Sequence, residues 1–151
     1  MMTGWRIVRR TRAGDAFSGE GARRFGGRWN SPGTALVYVS DSLALAALET
    51  LVHLNPQLFL DYVSFRVEWP ADLVENLGTP PPGWSVSPAG PASQHVGDHW
   101  ARENRSPVLA VPSTLIPSQR NFLLNPRHPK FSRLRISEAE PFNFDPRLLS
   151  P

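Results

Sequence analysis

The sequence lacks cysteine altogether, contains a single lysine and has no apolar run of the length that crosses a membrane. The absence of cysteine excludes disulfides, a thiolate nucleophile and cysteine-ligated zinc or iron. A membrane-spanning helix needs roughly 18 or more apolar residues, and the N-terminus also lacks the apolar core of a signal peptide. We therefore expect a cytoplasmic protein without a membrane partner.

Length and composition indicate one globular domain. The chain has 151 residues, of which 40% are hydrophobic and 19% are charged. These values are ordinary for folded domains and too apolar for a disordered chain. A chain of this length buries enough surface for one core and a cleft. We expect a single domain over residues 1–151.

The positive charge is carried almost entirely by arginine, with 15 arginines beside Lys130. A guanidinium is well matched to phosphate, because it presents a planar fork of N–H donors. Seven arginines fall within residues 1–30, whereas residues 61–100 carry a net negative charge. The sequence thus predicts an anion site in the N-terminal part, although a GC-rich genome also explains an arginine-rich composition as a whole.

Hydrophobic patterning predicts an α+β fold with a mixed or largely antiparallel sheet. Ser40 or Asp41 is predicted to cap the first helix, which Asn55-Pro56 ends, and Ser93 is predicted to cap the second. Strands are predicted at 5–9, 36–39, 62–68, 108–111, 121–124 and 131–136, and helices at 42–53 and 93–104.

Two long loops are predicted, a basic glycine-rich one at 10–34 and one at 79–93 that holds five prolines and two glycines. Loops of this length are usually functional or mobile. Residues 21–28 nearly match a phosphate-binding P-loop, but Gly27 and Arg28 stand where Lys and Ser/Thr are required. This argues against a nucleoside triphosphatase. Two alternatives remain: a backbone and a guanidinium that bind phosphate, or an exposed turn with a surface arginine.

Glu49 is the only acidic residue inside the apolar helix predicted at 42–53. A carboxylate in such a position either faces solvent or lies at the edge of a cleft beside a cation. The glycine-rich loop offers Arg28 as that cation. Both placements are compatible with the sequence.

Two further patterns are typical of catalytic sites but incomplete. His95 and His99 have the spacing of metal ligands, yet the glutamate of H-E-x-x-H is missing and Gly97 weakens the helix. Neither Ser113 nor Ser118 lies in the G-x-S-x-G elbow of hydrolases. We expect two ordinary polar histidines, no metal site and no hydrolytic triad.

Three segments, in this order, resemble the RES-domain family, the toxin half of Xre-RES type II toxin–antitoxin modules. The matching segments are 27–33 with 37–40, then 43–53, then 111–113 followed by 121–129. The resemblance covers roughly residues 5–145. It implies a fold similar to that of ADP-ribosyltransferase toxins and an activity that consumes NAD. The residues that it implicates in catalysis and NAD binding are Arg28, Tyr38, Glu49 and Ser113, with Arg6 as a further binding residue.

The chemistry implied by this resemblance gives each residue a role. Cleavage of the bond between nicotinamide and ribose passes through a cationic sugar, which Glu49 would stabilise. Arg28 would hold a phosphate, and Tyr38 would stack on the nicotinamide or hydrogen-bond to it. Ser113 would bond the ribose or an incoming phosphate, with Ser118 as the alternative serine.

Three hypotheses on function follow. The first is a toxin that degrades NAD as its substrate, with inorganic phosphate as co-substrate, and that needs no resident cofactor or metal. The second keeps the fold but transfers ADP-ribose to a protein target. The third is a basic RNA-binding or RNA-cleaving module built on the arginine-rich N-terminus. The first implies an Xre-type antitoxin partner, a toxin homodimer within a hetero-oligomer and no direct contact with nucleic acid.

Overall fold

A single mixed sheet organises the fold. The computed structural model describes residues 1–53 and 61–148, and eight strands within these ranges share one sheet. The strands are β1 Met2–Arg9, β2 Val37–Ser40, β3 Tyr62–Trp69, β4 Val74–Asn76, β5 Val108–Pro112, β6 Arg120–Leu124, β7 Arg135–Ile136 and β8 Glu140–Phe142. The helices are α1 Glu20–Phe25, α2 Leu43–Leu51 and α3 Pro91–Arg102. No helix in the described ranges is long and apolar enough to cross a membrane.

The strand order is β4-β5-β6-β2-β1-β3-β7, and β8 also pairs with β3. β4 and β5 run parallel, and the other pairs are antiparallel. The predicted α+β class with a mixed sheet is therefore confirmed. Sequence patterning missed β4 and β8, which are three residues long each and too short to show a period of two.

The sheet opens between β1 and β2. These strands share a single register pair, Trp5↔Ser40, whereas β1 pairs with β3 along its whole length, from Met2↔Trp69 to Arg9↔Tyr62. Beyond Trp5 the backbones of β1 and β2 part. The result is a cleft whose two walls are strands of the same sheet.

Both faces of β5 and β6 are buried, so these strands are apolar at consecutive positions rather than alternately. Phe122 and Leu124 belong to one core cluster, with Val37 and Trp69. Leu123 points to the opposite face and packs in a second cluster. That second cluster consists of Trp29, Leu36, Trp100, Leu109, Val111 and Leu123, with Trp100 contributed by α3.

Helix α2 is predicted correctly in position but not in its cap. Ser42, rather than Ser40 or Asp41, is the N-cap, and its side chain accepts the N–H of Leu45 at 3.0 Å. Ser40 is the last residue of β2, and its hydroxyl donates to Asn121 instead, at 2.7 Å. The helix ends at Leu51, and the predicted stop at 55–56 lies outside the described residues.

Helix α3 begins two residues before the predicted cap. Gly90 is the N-cap and Pro91 occupies the first turn, where proline is well tolerated. Ser93 lies inside the helix, and its buried hydroxyl donates to the carbonyl of Arg28 at 2.6 Å. Gly97 is required by close packing, since a Cβ there would lie 1.9 Å from the carbonyl oxygen of Trp29.

The predicted strand at 131–136 is largely wrong. Phe131–Arg133 forms a single 3-10 turn, and only Arg135–Ile136 pairs with β3. The predicted loop at 10–34 also contains a 3-10 segment, Arg10–Asp15, and the short helix α1. The proline-rich loop runs from residue 77 to residue 90, between β4 and α3, close to its predicted bounds.

Candidate functional site

A cavity of about 980 Å³ lies between β1 and β2. Its walls are β1, the segment 12–28, β2 and one side of α2. This is the N-terminal part of the chain, where the distribution of arginine predicts an anion site. The arginines that line the cavity are Arg6, Arg9, Arg12, Arg23, Arg24 and Arg28.

Two of these arginines are paired with carboxylates at the rim of the cavity. Arg23 donates to both carboxylate oxygens of Glu20 at 2.8–3.0 Å, and this bond holds the pKa of Glu20 below its usual value. Arg12 contacts Asp15 at 3.4 Å. The other four arginines of the cavity, Arg6, Arg9, Arg24 and Arg28, have no carboxylate at ion-pair distance in the described ranges.

Arg6 bridges the gap between the two strands. Its Nε donates to the carbonyl of Ala16 at 2.7 Å and its Nη1 to the carbonyl of Tyr38 at 3.0 Å. Burial lowers the pKa of Arg6 from 12.5 to about 10, while nearby Asp15 opposes the shift. Arg6 is therefore protonated at neutral pH. It supplies a positive charge to the cavity and satisfies a β2 carbonyl where β1 has moved away.

Glu49 is held in place by Ser113. The half-buried carboxylate accepts a hydrogen bond of 2.7 Å at Oε1 from Ser113 Oγ. Ser113 follows β5 and is buried, and its Oγ accepts the N–H groups of Leu115 and Ile116 at 3.1 and 3.2 Å. Because both lone pairs of the hydroxyl are used in this way, its proton is left for Glu49.

Arg28, suggested by the sequence as a partner of Glu49, instead bonds to the proline-rich loop. Its Nη1 donates to the carbonyl of Trp84 at 3.1 Å and to that of Val86. The backbone carbonyl of Arg28 accepts the Ser93 hydroxyl at 2.6 Å. No acceptor for Nε or Nη2 occurs among the described residues, so one edge of the guanidinium remains available to a ligand.

The hydroxyl of Tyr38 is fully used inside the protein. It donates to Asn30 Oδ1 and accepts the N–H of Trp29 at 3.1 Å. Burial raises the pKa of Tyr38 above its ordinary value, which keeps the phenol neutral. Of the two roles suggested by the resemblance, stacking through the ring face is therefore compatible with this geometry, whereas the hydroxyl is already engaged.

Two residues that sequence reasoning did not select build the loop that carries Arg28. Asn30 is buried, and its side-chain amide donates to three backbone carbonyls within residues 22–34. Asp98 of α3 accepts the N–H of Ser31 at 3.0 Å and its hydroxyl at 2.5 Å. Gly26, Gly27 and the Asn30-Ser31 pair are typical of a turn. The sequence does not show that Asp98, 67 positions after Ser31, holds this turn in place.

The cavity thus brings together four of the five residues selected from the sequence, Arg6, Arg28, Tyr38 and Glu49. Ser113 lies behind Glu49, outside the cavity lining, and reaches the site through that carboxylate. The alternative serine, Ser118, is exposed in the turn before β6.

The histidine pair lies outside the cavity. His95 and His99 are exposed on α3, with ring centroids 6.5 Å apart and His99 Nδ1 3.9 Å from a carboxylate oxygen of Glu103. In the part of the chain that the structure describes, no cluster of three or more His, Asp or Glu side chains is arranged to hold a metal ion.

Comparison with known proteins gives consistent matches over nearly the whole chain. The model of the RES domain family matches residues 3–145. A Sphingobium protein named "Prs ADP-ribosylating toxin" is 40% identical over 153 residues, which covers 96% of this chain and 95% of that protein. A Yersinia enterocolitica protein named "Toxin Res" is 39% identical over 149 residues and covers 95% of this chain and 97% of its own length.

A solved structure has the same fold. A chain of the M. tuberculosis MbcT-MbcA toxin-antitoxin complex superimposes with a TM-score of 0.73 and covers 98% of this chain and 86% of its own length. Its sequence identity to this chain is 24%, so the likeness concerns the fold alone.

Proposed function

The chain belongs to the RES domain family, and we propose that it is the toxin of a toxin–antitoxin system that degrades NAD by cleaving the bond between nicotinamide and ribose. The observation that carries the proposal is one cavity that is lined both by Glu49 and by arginines without carboxylate partners. Such a cavity offers an anionic group for a developing cationic sugar and cationic groups for a diphosphate. Two relatives that match over nearly their whole length are named as toxins, which supports the proposed biological role.

Glu49 is the proposed catalytic carboxylate. When the C–N bond to nicotinamide breaks, its electron pair leaves with the pyridine nitrogen and positive charge develops on the ribose. A carboxylate beside that carbon stabilises the transition state more than the ground state. Ser113 fixes Oε1 from behind, which leaves Oε2 to face the sugar, so we propose Ser113 as a positioning residue.

Arg28 and Arg6 are the proposed ligands of the phosphates. Arg28 offers the Nε/Nη2 edge of its guanidinium, the geometry that grips an oxyanion through two parallel bonds. Arg6 has Nη2 available after its two bonds to carbonyls. Tyr38 would present its ring face to the nicotinamide or the ribose, while its hydroxyl keeps the loop with Asn30 in place.

Inorganic phosphate is our proposed acceptor. A phosphate oxygen would form a bond to the ribose carbon as nicotinamide leaves, so the products are nicotinamide and a phosphorylated ADP-ribose. Two further arginines without carboxylate partners, Arg9 and Arg24, line the same cavity. They exceed what a diphosphate alone requires and favour a second anion in the site.

Transfer of ADP-ribose to a protein is the second candidate, favoured by the name of the Sphingobium relative. The two candidates share the cleavage step and differ in the group that attacks the ribose. Phosphate dependence separates them, because the rate rises with phosphate only if phosphate is the acceptor. Incorporation of labelled ADP-ribose into a protein would favour the second candidate.

The partner in this proposal is an antitoxin protein. The solved structure with the same fold comes from a toxin–antitoxin complex, and the open cavity is a surface that a partner can cover. An Xre-type antitoxin, a toxin homodimer within the assembly and action in the cytoplasm remain predictions from the resemblance.

The decisive experiment is an NAD consumption assay on protein freed from any antitoxin. We expect nicotinamide release that depends on phosphate and that falls by about 10²- to 10³-fold in Glu49→Gln, the usual cost of a lost electrostatic contact in a transition state. Glu138→Gln, at an exposed position outside the cavity, is the matched control and should retain wild-type activity. Wild-type activity in Glu49→Gln would refute the mechanism.

A further inference from the structure

We infer that Trp84, in the proline-rich loop at 77–90, is a positioning residue for Arg28 and thereby sets the affinity of the cavity for the phosphates of its substrate. The inference rests on the proposed function, since it assigns Arg28 to those phosphates. It concerns a segment that does not itself line the cavity.

Trp84 acts on Arg28 in two ways. Its backbone carbonyl accepts a hydrogen bond of 3.1 Å from Arg28 Nη1. Its ring stacks on Trp29, the next residue after Arg28, with centroids 5.8 Å apart and planes 21° apart. Trp29 is buried in the cluster under α3. Trp84 therefore links the guanidinium of Arg28 to the core of the protein through Trp29.

The contact leaves Arg28 able to bind an anion. A guanidinium has five N–H donors, and the two on Nη1 are taken by the carbonyls of Trp84 and Val86. The edge formed by Nε and Nη2 has no acceptor in the described ranges and is the edge that binds phosphate through two bonds. Carbonyl acceptors are neutral, so the positive charge is not cancelled as it would be by a carboxylate.

The loop is built to present those carbonyls. Two consecutive turns close it, from the Trp84 N–H to the Pro81 carbonyl at 3.2 Å and from the Val86 N–H to the Gly83 carbonyl at 3.3 Å. Gly83 has a φ of 82°, a conformation that glycine adopts without strain. Arginine loses much rotamer freedom when it is fixed, and a side chain that is fixed before binding loses less on binding.

The alternative is that the loop masks Arg28 and must release it. The two possibilities predict opposite signs for one substitution. If the loop positions Arg28, Trp84→Ala raises the KM for NAD about tenfold while kcat changes little, because the freed side chain must be ordered at each binding event. If the loop masks Arg28, the same substitution lowers KM and overturns the inference.

A conservative variant and two controls separate positioning from general stability. Trp84→Phe keeps an aromatic ring against Trp29 and should restore a KM within about threefold of wild type. Leu77→Ala removes packing from the same cluster and should lower the melting temperature without raising KM. Ser85→Ala, at an exposed position of the same loop, should change neither. A KM unchanged in Trp84→Ala, or raised equally in Leu77→Ala, overturns the inference.

Calorimetry distinguishes failure of this inference from failure of the proposed function. If wild-type protein releases no nicotinamide, the proposed function fails, but titration with inorganic pyrophosphate still probes Arg28. A Kd about tenfold weaker in Trp84→Ala than in wild type and Leu77→Ala supports the positioning role. Equal Kd values in the three proteins overturn it.

Discussion

Ser113 Oγ donates to Glu49 Oε1 at 2.7 Å while it accepts two backbone N–H groups. The catalytic carboxylate that we propose is thus oriented by a buried hydroxyl whose own direction is fixed. The sequence separates these residues by 64 positions, and only the fold brings α2 and the turn that follows β5 together.

Replacement of Ser113 by alanine should reduce kcat about 10- to 100-fold, since a hydrogen bond to a charged group contributes about 1.5–3 kcal/mol. The substitution also leaves the N–H groups of Leu115 and Ile116 without their acceptor, so the melting temperature should fall. Ser118→Ala, at an exposed position, is the control. If Ser118→Ala is the more damaging variant, the assignment of the serine is wrong.

Gly97→Ala should disrupt the loop that carries Arg28. The added Cβ would lie 1.9 Å from the Trp29 carbonyl oxygen, and overpacking of this kind costs about 1–3 kcal/mol or more. Urea unfolding gives the loss of stability, and near-UV circular dichroism reports the displaced tryptophan. Gly21→Ala in α1 meets no atom within 4 Å and should not destabilise the protein. Equal stability of the two variants would contradict the packing.

Tyr38 should titrate well above the ordinary tyrosine pKa of 10.0, because burial raises its pKa. A raised folded-state pKa means that Tyr38 contributes stability below about pH 10, and that this contribution is lost as the pH rises through the folded-state pKa. The chain has two tyrosines, so Tyr62→Phe makes Tyr38 the only one. The Tyr62 hydroxyl has no hydrogen-bond partner in the described ranges, so its removal should cost no hydrogen bond.

The measurement is the near-ultraviolet absorbance of phenolate as the pH is raised on Tyr62→Phe. We expect the transition to coincide with unfolding, followed by far-UV circular dichroism on the same samples, and to return to about pH 10 in denaturant. A phenolate that forms near pH 10 while the protein stays folded would show that Tyr38 is accessible to solvent.

Arg6→Lys should destabilise the protein by about 1–3 kcal/mol, because a lysine offers no planar fork for the carbonyls of Ala16 and Tyr38 and leaves one of them unsatisfied. Urea unfolding measures the loss. Arg66→Lys on β3, an exposed arginine that pairs with Glu68 at 3.3 Å, is the control and should change stability by less than about 0.5 kcal/mol. A loss no larger in Arg6→Lys than in Arg66→Lys would argue against the bridge.

The elements that sequence predicts well are those with a local signal. Helix α2 has a run of apolar helix-forming residues, and strands β1, β2, β3 and β5 are rich in β-branched or aromatic residues. The resemblance selected Arg6, Arg28, Tyr38 and Glu49, and the structure places all four on one cavity. The residues themselves suggested only that Arg28 could lie near Glu49; the full set came from the resemblance, because periodicity does not show that β1 and β2 part.

The features that sequence reasoning missed depend on distant contacts. Ser93 has the chemistry of a cap but lies inside α3, where its hydroxyl bonds the carbonyl of Arg28, 65 positions away. From the sequence, Gly97 only weakens helix α3. In the structure, glycine is required there because the Trp29 backbone packs against it. Phe131–Arg133 has the composition of a strand but forms a 3-10 turn, and only Arg135–Ile136 pairs with β3.

The opening between β1 and β2 leaves two strand edges inside the molecule. Unpaired edges are templates for extended polypeptide, and proteins commonly protect them with charged side chains. Here the Arg6 guanidinium donates to the Tyr38 carbonyl on the β2 edge. A peptide placed along that edge would find this carbonyl already hydrogen-bonded. Addition of an extended chain along the β2 edge is therefore disfavoured at Tyr38.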